Sequence, residues 1–244
     1  MPELKRLLGR RPSRVQSVVL HDLVPVDNGS MARWARDAKG RTWVAKLEIG
    51  ANEVLAEALA FALGEKLGVR QPQGAVFKHG GSPGWLSAAI PGAAHWDRDL
   101  RDHIANIDEV GHMLALDAIV FNEDRHQQNM LLTPDDDGRF IVWAIDAGNA
   151  ELGCPADIRR RGVEPPGVGN HARGLPWALL HEPALGAAAV AASLPDEVLR
   201  QIVVEGCAQT SEPQVEALAD ALTLRCRHAP AIVARYMNDL GARP

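Results

Sequence analysis

The sequence predicts an α+β fold in which a strand-rich N-terminal lobe precedes a mainly helical C-terminal lobe. Short apolar and β-branched runs separated by Gly-, Asn- and Asp-containing turns dominate residues 1–91, whereas apolar residues at helical spacing dominate residues 92–244. Pro91-Gly92 lies where the character of the chain changes, and it predicts a hinge. A chain of 244 residues can form one domain of two closely packed lobes.

The N-terminal lobe is predicted to begin with three strands, at residues 15–20, 31–36 and 41–47. A turn at residues 27–30 separates the first two, and a second turn at residues 37–40 makes a hairpin of the last two. Within this hairpin the alternation places Trp43, Ala45 and Leu47 on one face and Thr42, Val44 and Lys46 on the other.

A helix should follow at residues 52–67, because apolar side chains recur there at helical spacing. Gly68 stands where a helix commonly ends on a glycine. Residues 75–77 and 85–90 are two further predicted strands, joined by a turn rich in glycine.

The C-terminal lobe should open with a strongly apolar helix at residues 107–121 and close with two helices. The first closing helix is predicted at residues 196–207. The second should begin with a capping box at Ser211, with Pro213 in its first turn, and run toward Leu240 with a break at Pro230. A loop rich in Gly and Pro is expected at residues 162–174, and the Ala-rich run 185–194 should be a buried helix or lead into one.

Composition and charge exclude several function classes. The net charge of −5 disfavours nucleic acid or an anionic membrane as a partner, since both require a basic face. No apolar run is long enough to span a bilayer, and the basic N-terminus lacks the features of a secretory signal. Three widely spaced cysteines indicate neither a disulfide framework nor a zinc site. A cytoplasmic location is therefore the expectation.

The most informative stretch of the chain places Asp124, Asn129 and Asp146 around a predicted hairpin. A short loop carries the first two, and Asp146 follows the apolar segment 140–145. The alternation of Ile141, Trp143 and Ile145 predicts that this segment is a half-buried strand. A carboxylate there needs a partner or a metal, because unpaired burial is costly. Carboxylate and amide oxygens suit Mg²⁺ on nucleotide phosphates, which leaves Asp124 to receive the proton of an attacking hydroxyl. The alternatives are a solvated loop for Asp124 and Asn129 and a turn residue for Asp146.

Lys46 ends a predicted strand and could reach the α- and β-phosphates of a nucleotide if a carboxylate held it in place. Glu53, at the start of the following helix, is the favoured partner, and Glu57 is the competing one. Gly29 and Ser30 could form a turn that covers the phosphates, although an Asn-Gly turn also closes ordinary hairpins.

Two polar groups near Asp124 have less certain roles. His126 could orient Asp124 or stabilise charge on the transferred group, or it could hold the loop through backbone hydrogen bonds, and the role of Arg125 stays open as well. The run Asp135-Asp136-Asp137 is interpreted as a solvated hairpin turn because it precedes Gly138.

These residues resemble the HipA-like kinases and, more distantly, the phosphatidylinositol 3/4-kinase group. The resemblance rests on the loop Asp124-Arg125-His126-Gln127-Gln128-Asn129 followed by Ile145-Asp146-Ala147-Gly148, and on the V-A-K-L strand followed by Asn52-Glu53 and a helix. It covers roughly residues 15–150. It implies a two-lobed protein-kinase-like fold that uses ATP and Mg²⁺, with Asp124 as catalytic base, Asn129 and Asp146 as metal ligands, and Lys46 on the phosphates.

The acceptor is the open part of this hypothesis. A protein Ser or Thr hydroxyl is the leading expectation, a small molecule or inositide is the second, and a nucleotide-binding pseudokinase that regulates a partner is the third. The chain is shorter than full-length HipA toxins, so a toxin–antitoxin role does not follow from the resemblance.

Overall fold

The computed structural model describes residues 21–26, 32–167, 175–210 and 213–241. The predicted strand at residues 15–20 lies outside the described residues. So do Gly29 and Ser30, together with Ser211 of the predicted capping box.

The N-terminal lobe contains a five-stranded antiparallel sheet with the order β1-β2-β3-β5-β4. Its strands are β1 His21–Pro25, β2 Ala32–Arg36, β3 Thr42–Lys46, β4 Gly74–His79 and β5 Ser82–Ala88. In β3 the predicted alternation is confirmed, because Trp43 and Ala45 are buried whereas Val44 and Lys46 face the other side. The buried side chains form a small core with Ala35, Phe77 and Leu86. The opposite face of the sheet is thereby free to line a cleft.

Helix α1, Ala51–Leu67, follows β3 and confirms the predicted helix. It ends at Gly68, whose φ of 73° is the left-handed conformation that glycine adopts without a Cβ penalty. Its inner side belongs to the large core of the C-terminal lobe. Leu59 packs so closely against Gly206 that a Cβ atom added at Gly206 would lie 2.8 Å from Leu59 Cδ2. The helix therefore ties the sheet to the C-terminal lobe.

The C-terminal lobe opens with strand β6, Ala94–His95, a 3₁₀ helix at Arg98–His103 and helix α2, Ile107–Val120. A hairpin follows, β7 Met130–Pro134 and β8 Phe140–Ala144, and β6 extends it to three strands. The remaining helices are α3 Pro155–Arg161, α4 Trp177–Ser193, α5 Asp196–Thr210, α6 Val215–Arg227 and α7 Ala229–Gly241. In the part of the chain that the structure describes, no single helix is long and apolar enough to cross a membrane; α4 and α5 reach that length and composition only as a pair bent by 91°.

The predicted break in the last helix is confirmed, because α6 and α7 are two helices, although the break falls at His228 and not at Pro230. Helix α6 begins at Val215 instead of Ser211. Pro230 lies in the first turn of α7, where its missing N–H costs little, so the chain breaks just before it. Helix α3 is an element that the sequence pattern does not predict.

The hairpin β7–β8 confirms two features and corrects one. Strand β8 is half-buried as predicted, but Val142 and Ala144 form its buried side, whereas Ile141 and Trp143 are partly exposed. At the tip, Asp135 Oδ1 accepts hydrogen bonds from the backbone N–H groups of residues 137 and 139, at 2.9 and 2.8 Å. The acidic run is therefore the turn that the sequence indicated.

Candidate active site

A cleft of about 580 Å³ lies between the five-stranded sheet and the hairpin. Apolar side chains from both lobes line part of it, among them Val26, Ala32, Val44, Leu131 and Ile145. Polar side chains line the rest, among them Lys46, Glu57, His126, Asn129 and Asp146. The volume and the mixed lining are typical of sites for small molecules and cofactors.

Lys46, Glu57 and Asp146 form an ionic cluster in this cleft, called the cleft cluster below. The Lys46 Nζ atom lies 2.5 Å from Glu57 Oε1 and 2.6 Å from Asp146 Oδ1. Strand β3 supplies the lysine at its last residue, helix α1 supplies the glutamate, and Asp146 follows strand β8. Three elements that are distant in sequence therefore meet at one ammonium group.

The preference for Glu53 as the partner of Lys46 is wrong. Glu53 lies in the first turn of α1, is exposed, and accepts a hydrogen bond from Gly50 N at 3.3 Å. Glu57 lies one turn further along, on the side of the helix that packs against the core, and is 4% exposed. Sequence spacing makes both residues neighbours of the strand end, and only the rotation of the docked helix decides between them.

The turn after Asp146 is fixed to the same cluster. Asp146 has a φ of 58°, a left-handed conformation that costs a non-glycine residue about 1 kcal/mol. The next backbone N–H, of Ala147, donates to Glu57 Oε2 at 3.1 Å. Each carboxylate oxygen of Glu57 thus has a separate partner, and the turn is held where Asp146 meets Lys46.

The electrostatics of the cleft cluster follow from its composition of one cation and two carboxylates. Burial raises the pKa of Glu57, and the charge of Asp146 raises it too, whereas Lys46 opposes both. For Asp146, burial acts in the same direction, but Lys46 holds the pKa of this carboxyl below its usual value. Burial opposes the charge on Lys46, yet the two carboxylates raise its pKa. With all three groups ionised, the cluster has an excess of negative charge.

Asp124 lies on the loop between α2 and β7 with 44% of its side chain exposed. Its Oδ2 atom accepts a hydrogen bond of 2.7 Å from Asn149 Nδ2, and its Oδ1 atom is 3.8 Å from His126 Nε2. The separation of 3.8 Å is too long for a hydrogen bond. The carboxylate is therefore accessible to a substrate hydroxyl, and one of its oxygens is held by an amide.

His126 and Asn129 organise the same loop. His126 Nδ1 accepts a hydrogen bond from Gln128 N at 3.2 Å and so caps the 3₁₀ helix Gln127–Asn129, which supports the backbone-holding alternative for this histidine. Asn129 Nδ2 donates to the carbonyl oxygen of Asp124 at 2.7 Å. Within the described residues nothing donates to Asn129 Oδ1, so this oxygen can serve a ligand of the cleft.

Beneath the loop, Arg125 and Asp117 form a second ionic group, called the loop anchor below. Arg125 donates to both carboxylate oxygens of Asp117, at 2.8 and 2.9 Å, and both side chains are at most 3% exposed. Its Nη1 atom also donates to the carbonyl oxygens of Asn129 and Ile145, each at 2.6 Å. Although burial opposes the charge, Asp117 raises the pKa of Arg125. The anchor holds the loop and the strand end before Asp146 together.

The sequence reasoning missed Asp117. Its signal is a carboxylate in the apolar part of a helix, beyond the acidic residues of the first turn, where an unpaired carboxylate is rare. Asn122 also binds it, because Asn122 Nδ2 donates to Asp117 Oδ1 at 2.8 Å.

The donor set near the cleft fits a hard cation that is bound mainly through a substrate. Within the described ranges, no three His, Cys, Asp or Glu side chains are grouped closely enough to hold a metal ion by themselves. Asn129 and Asp146 supply an amide oxygen and a carboxylate. Mg²⁺ is commonly bound by one or two such ligands together with substrate phosphates and water, so these residues fit it. Gly29 and Ser30 lie outside the described residues, and their role stays a prediction.

No protein-family model and no curated protein matches the sequence. Among solved structures, the chain is similar to the proinflammatory kinase CtkA of Helicobacter pylori, with a TM-score of 0.59 and 10% identity over 91% of this chain and 96% of that one. The chain has a kinase-like fold. The predicted two-lobed α+β architecture is thereby confirmed.

Two further structures match over most of the chain. The N-terminal 618-residue fragment of LepB from Legionella pneumophila has a TM-score of 0.51 and 12% identity, over 85% of this chain and 45% of that fragment. HipA from a toxin–antitoxin system of Shewanella oneidensis has a TM-score of 0.49 and 13% identity, over 94% of this chain and 68% of that one.

Proposed function

We propose that this protein is an ATP- and Mg²⁺-dependent phosphotransferase that phosphorylates a Ser or Thr hydroxyl of a protein. The observation that carries the proposal is the position of the Lys46 ammonium, which lies between Glu57 and Asp146 in a cleft that the loop of Asp124 also borders. Catalysis of phosphoryl transfer consists mainly of positioning and charge stabilisation, and these groups supply both.

The nucleotide would bind with its base among the apolar residues of the cleft and with its phosphates toward Lys46. Glu57 accepts hydrogen bonds from both Lys46 Nζ and Ala147 N, and this would hold the ammonium where it can meet the α- and β-phosphates. Asn129 and Asp146 would hold Mg²⁺, which supplies positive charge that neutralises the phosphate oxygens. The excess negative charge of the cleft cluster suits such a cation.

Asp124 would act as the general base. Its exposed carboxylate accepts the proton of the acceptor hydroxyl while the hydroxyl oxygen bonds to the γ-phosphorus. The bond between that phosphorus and the β–γ bridging oxygen breaks, and ADP leaves with the electron pair. Arg125 of the loop anchor donates to the carbonyl oxygen of Asn129, and Asn129 Nδ2 donates to that of Asp124, so the base and the proposed metal ligand keep their relative position.

The test is turnover of Mg-ATP by the purified protein and by the Asp124→Asn variant. Phosphate transfer to mixed protein acceptors and ATP hydrolysis are followed, and we expect the variant to lose about 100-fold or more of the rate, as removal of a general base does. Asp136→Asn, in the exposed hairpin turn, is the matched control and should keep wild-type turnover. Wild-type protein without hydrolysis or transfer contradicts the proposal, as does a variant that is equally active.

The acceptor class is tested by comparing protein, lipid and polyol acceptors under the same conditions. Preferential labelling of Ser or Thr in proteins supports the proposal, whereas labelling of a polyol or an inositide transfers it to a small-molecule kinase. If Mg-ATP raises the melting temperature without any transfer, the chain is a nucleotide-binding pseudokinase instead.

A further inference from the structure

Asn149, in the turn that follows Asp146, reaches back to the carboxylate of Asp124. Its Nδ2 atom donates to Asp124 Oδ2 at 2.7 Å across 25 positions of sequence. The other oxygen, Oδ1, faces His126 at 3.8 Å, beyond hydrogen-bonding distance. One carboxylate oxygen is therefore held and the other is available to a substrate.

Hydrogen bonds fix the backbone on both sides of Asn149, so the position from which its side chain extends is fixed as well. On one side Ala147 N donates to Glu57, and Ala150 N closes a turn onto the carbonyl oxygen of Ala147 at 3.0 Å. On the other side Glu151 N donates to the carbonyl oxygen of Phe121 at 3.1 Å, which fastens the chain to the end of α2. The turn is therefore held in place, and the hydrogen bond from Asn149 can orient the side chain of Asp124.

A side-chain amide is well suited to orient a base. A cation at the same place would stabilise the carboxylate anion and make it a weaker proton acceptor. A neutral N–H donor fixes the plane of the carboxylate at a smaller cost in basicity, because hydrogen bonds from neutral donors are weaker than those from charged ones. Asp124 is also partly exposed, so without a partner its side chain would sample several rotamers.

We propose that Asn149 is a positioning residue that holds Asp124 through Oδ2 and directs Oδ1 toward the acceptor hydroxyl. The inference rests on the proposed function, since it assigns Asn149 to the base of that reaction. The turn of Asn149 also carries Asp146, so the nucleotide side and the acceptor side of the cleft share one rigid connection.

The kinetic test uses Asn149→Ala and measures ATP hydrolysis and protein phosphorylation by the full chain. We expect kcat to fall about 10- to 100-fold, the cost of a misplaced reacting group, with a KM for ATP within about twofold of wild type. In Asn149→Asp a carboxylate that repels Asp124 replaces the N–H donor, so kcat should fall at least as far as in Asn149→Ala. Asn238→Ala, on the exposed side of α7, is the control and should match wild type.

A spectroscopic test reports the contact without turnover. The side-chain amide signal of Asn149, assigned by its loss in Asn149→Ala, should shift upfield in the ¹H–¹⁵N spectrum of Asp124→Ala, because the acceptor oxygen is gone. An unchanged amide signal overturns the inference. A kcat equal to wild type in both Asn149 variants overturns it as well while leaving the proposed function intact. Inactive wild-type protein overturns the proposed function and the positioning role with it.

Discussion

The loop anchor and the cleft cluster lie on either side of the strand end at Ile145, and they differ in charge balance and exposure. In the anchor, one guanidinium meets one carboxylate, and both side chains are at most 3% exposed. In the cleft cluster, one ammonium meets two carboxylates, and Lys46 and Asp146 keep 20% and 35% of their side chains exposed. The first group is balanced and closed, and the second is unbalanced and open.

The two groups therefore differ in what they can do: the closed one holds the backbone in place, and the open one can exchange partners. A buried pair with every polar atom bonded cannot exchange partners without a large cost, so it holds backbone in place. A partly exposed cluster with surplus negative charge can take up a cation or let its lysine turn to a phosphate. The anchor binds the carbonyl oxygen of the residue before Asp146, so the closed group positions the open one.

The largest effect is expected from Arg125→Met, which breaks the closed group. Asp117 would be left buried without its cation, and the carbonyl oxygens of Asn129 and Ile145 would lose their donor. Breaking a buried pair on one side costs about 3–5 kcal/mol, and we expect that loss in the free energy of unfolding measured by denaturant titration.

Arg159→Met serves as the control for this experiment, because Arg159 is exposed on α3 and its loss should change stability by less than about 0.5 kcal/mol. If both variants unfold at the same denaturant concentration, the anchor does not hold the loop and the comparison fails.

An intermediate, pH-dependent effect is expected from Lys46→Met in the open group. The pKa of Glu57 is raised in the folded state, so protonated Glu57 favours folding. This contribution to the free energy of unfolding is present below the unfolded pKa of 4.5 and is lost as pH rises through the folded pKa. Removing Lys46 takes away the cation that opposes this rise. The stability gap to wild type should therefore widen as pH rises above about 4.5.

The measurement is denaturant unfolding at several pH values, with Lys78→Met as the control, since Lys78 is exposed on β4. A gap that stays constant with pH would mean that Lys46 does not counter the charge of Glu57.

The smallest change in stability is expected from Asp146→Asn. The amide oxygen can still accept from Lys46, and one of two neighbouring negative charges disappears, which lowers the pKa of Glu57. The free energy of unfolding should stay within about 1 kcal/mol of wild type. In contrast, the rise in melting temperature on addition of a magnesium–nucleotide complex should be lost, because Asp146 is a proposed ligand of the metal.

A loss of stability as large as that of Arg125→Met, or a nucleotide response equal to wild type, would show that Asp146 belongs to the scaffold and not to the open group.

Local patterns predicted several elements because the residues that decide them are neighbours in sequence. Strand β3 follows from alternation, and the end of α1 follows from Gly68, the residue type that adopts its positive φ without strain. The division of the closing helix follows from Pro230, which is tolerated in a first turn but not inside a helix, so the break falls just before it, at His228. Helix α3 is short, and its seven residues give too little periodicity to read.

The spacing of Asp124, Asn129 and Asp146 and the strand that ends at Lys46 were determined by the sequence itself, because a hairpin and its preceding loop bring together residues that are close along the chain. Three further partners were decided by the tertiary structure. Glu57, and not Glu53, pairs with Lys46 because of the way α1 is oriented against the core. Asp117 pairs with Arg125 because α2 passes under the loop. Asn149 donates to Asp124 because the turn after Asp146 lies beside the loop. Such long-range pairs depend on how the elements pack, and packing is a property of the whole chain.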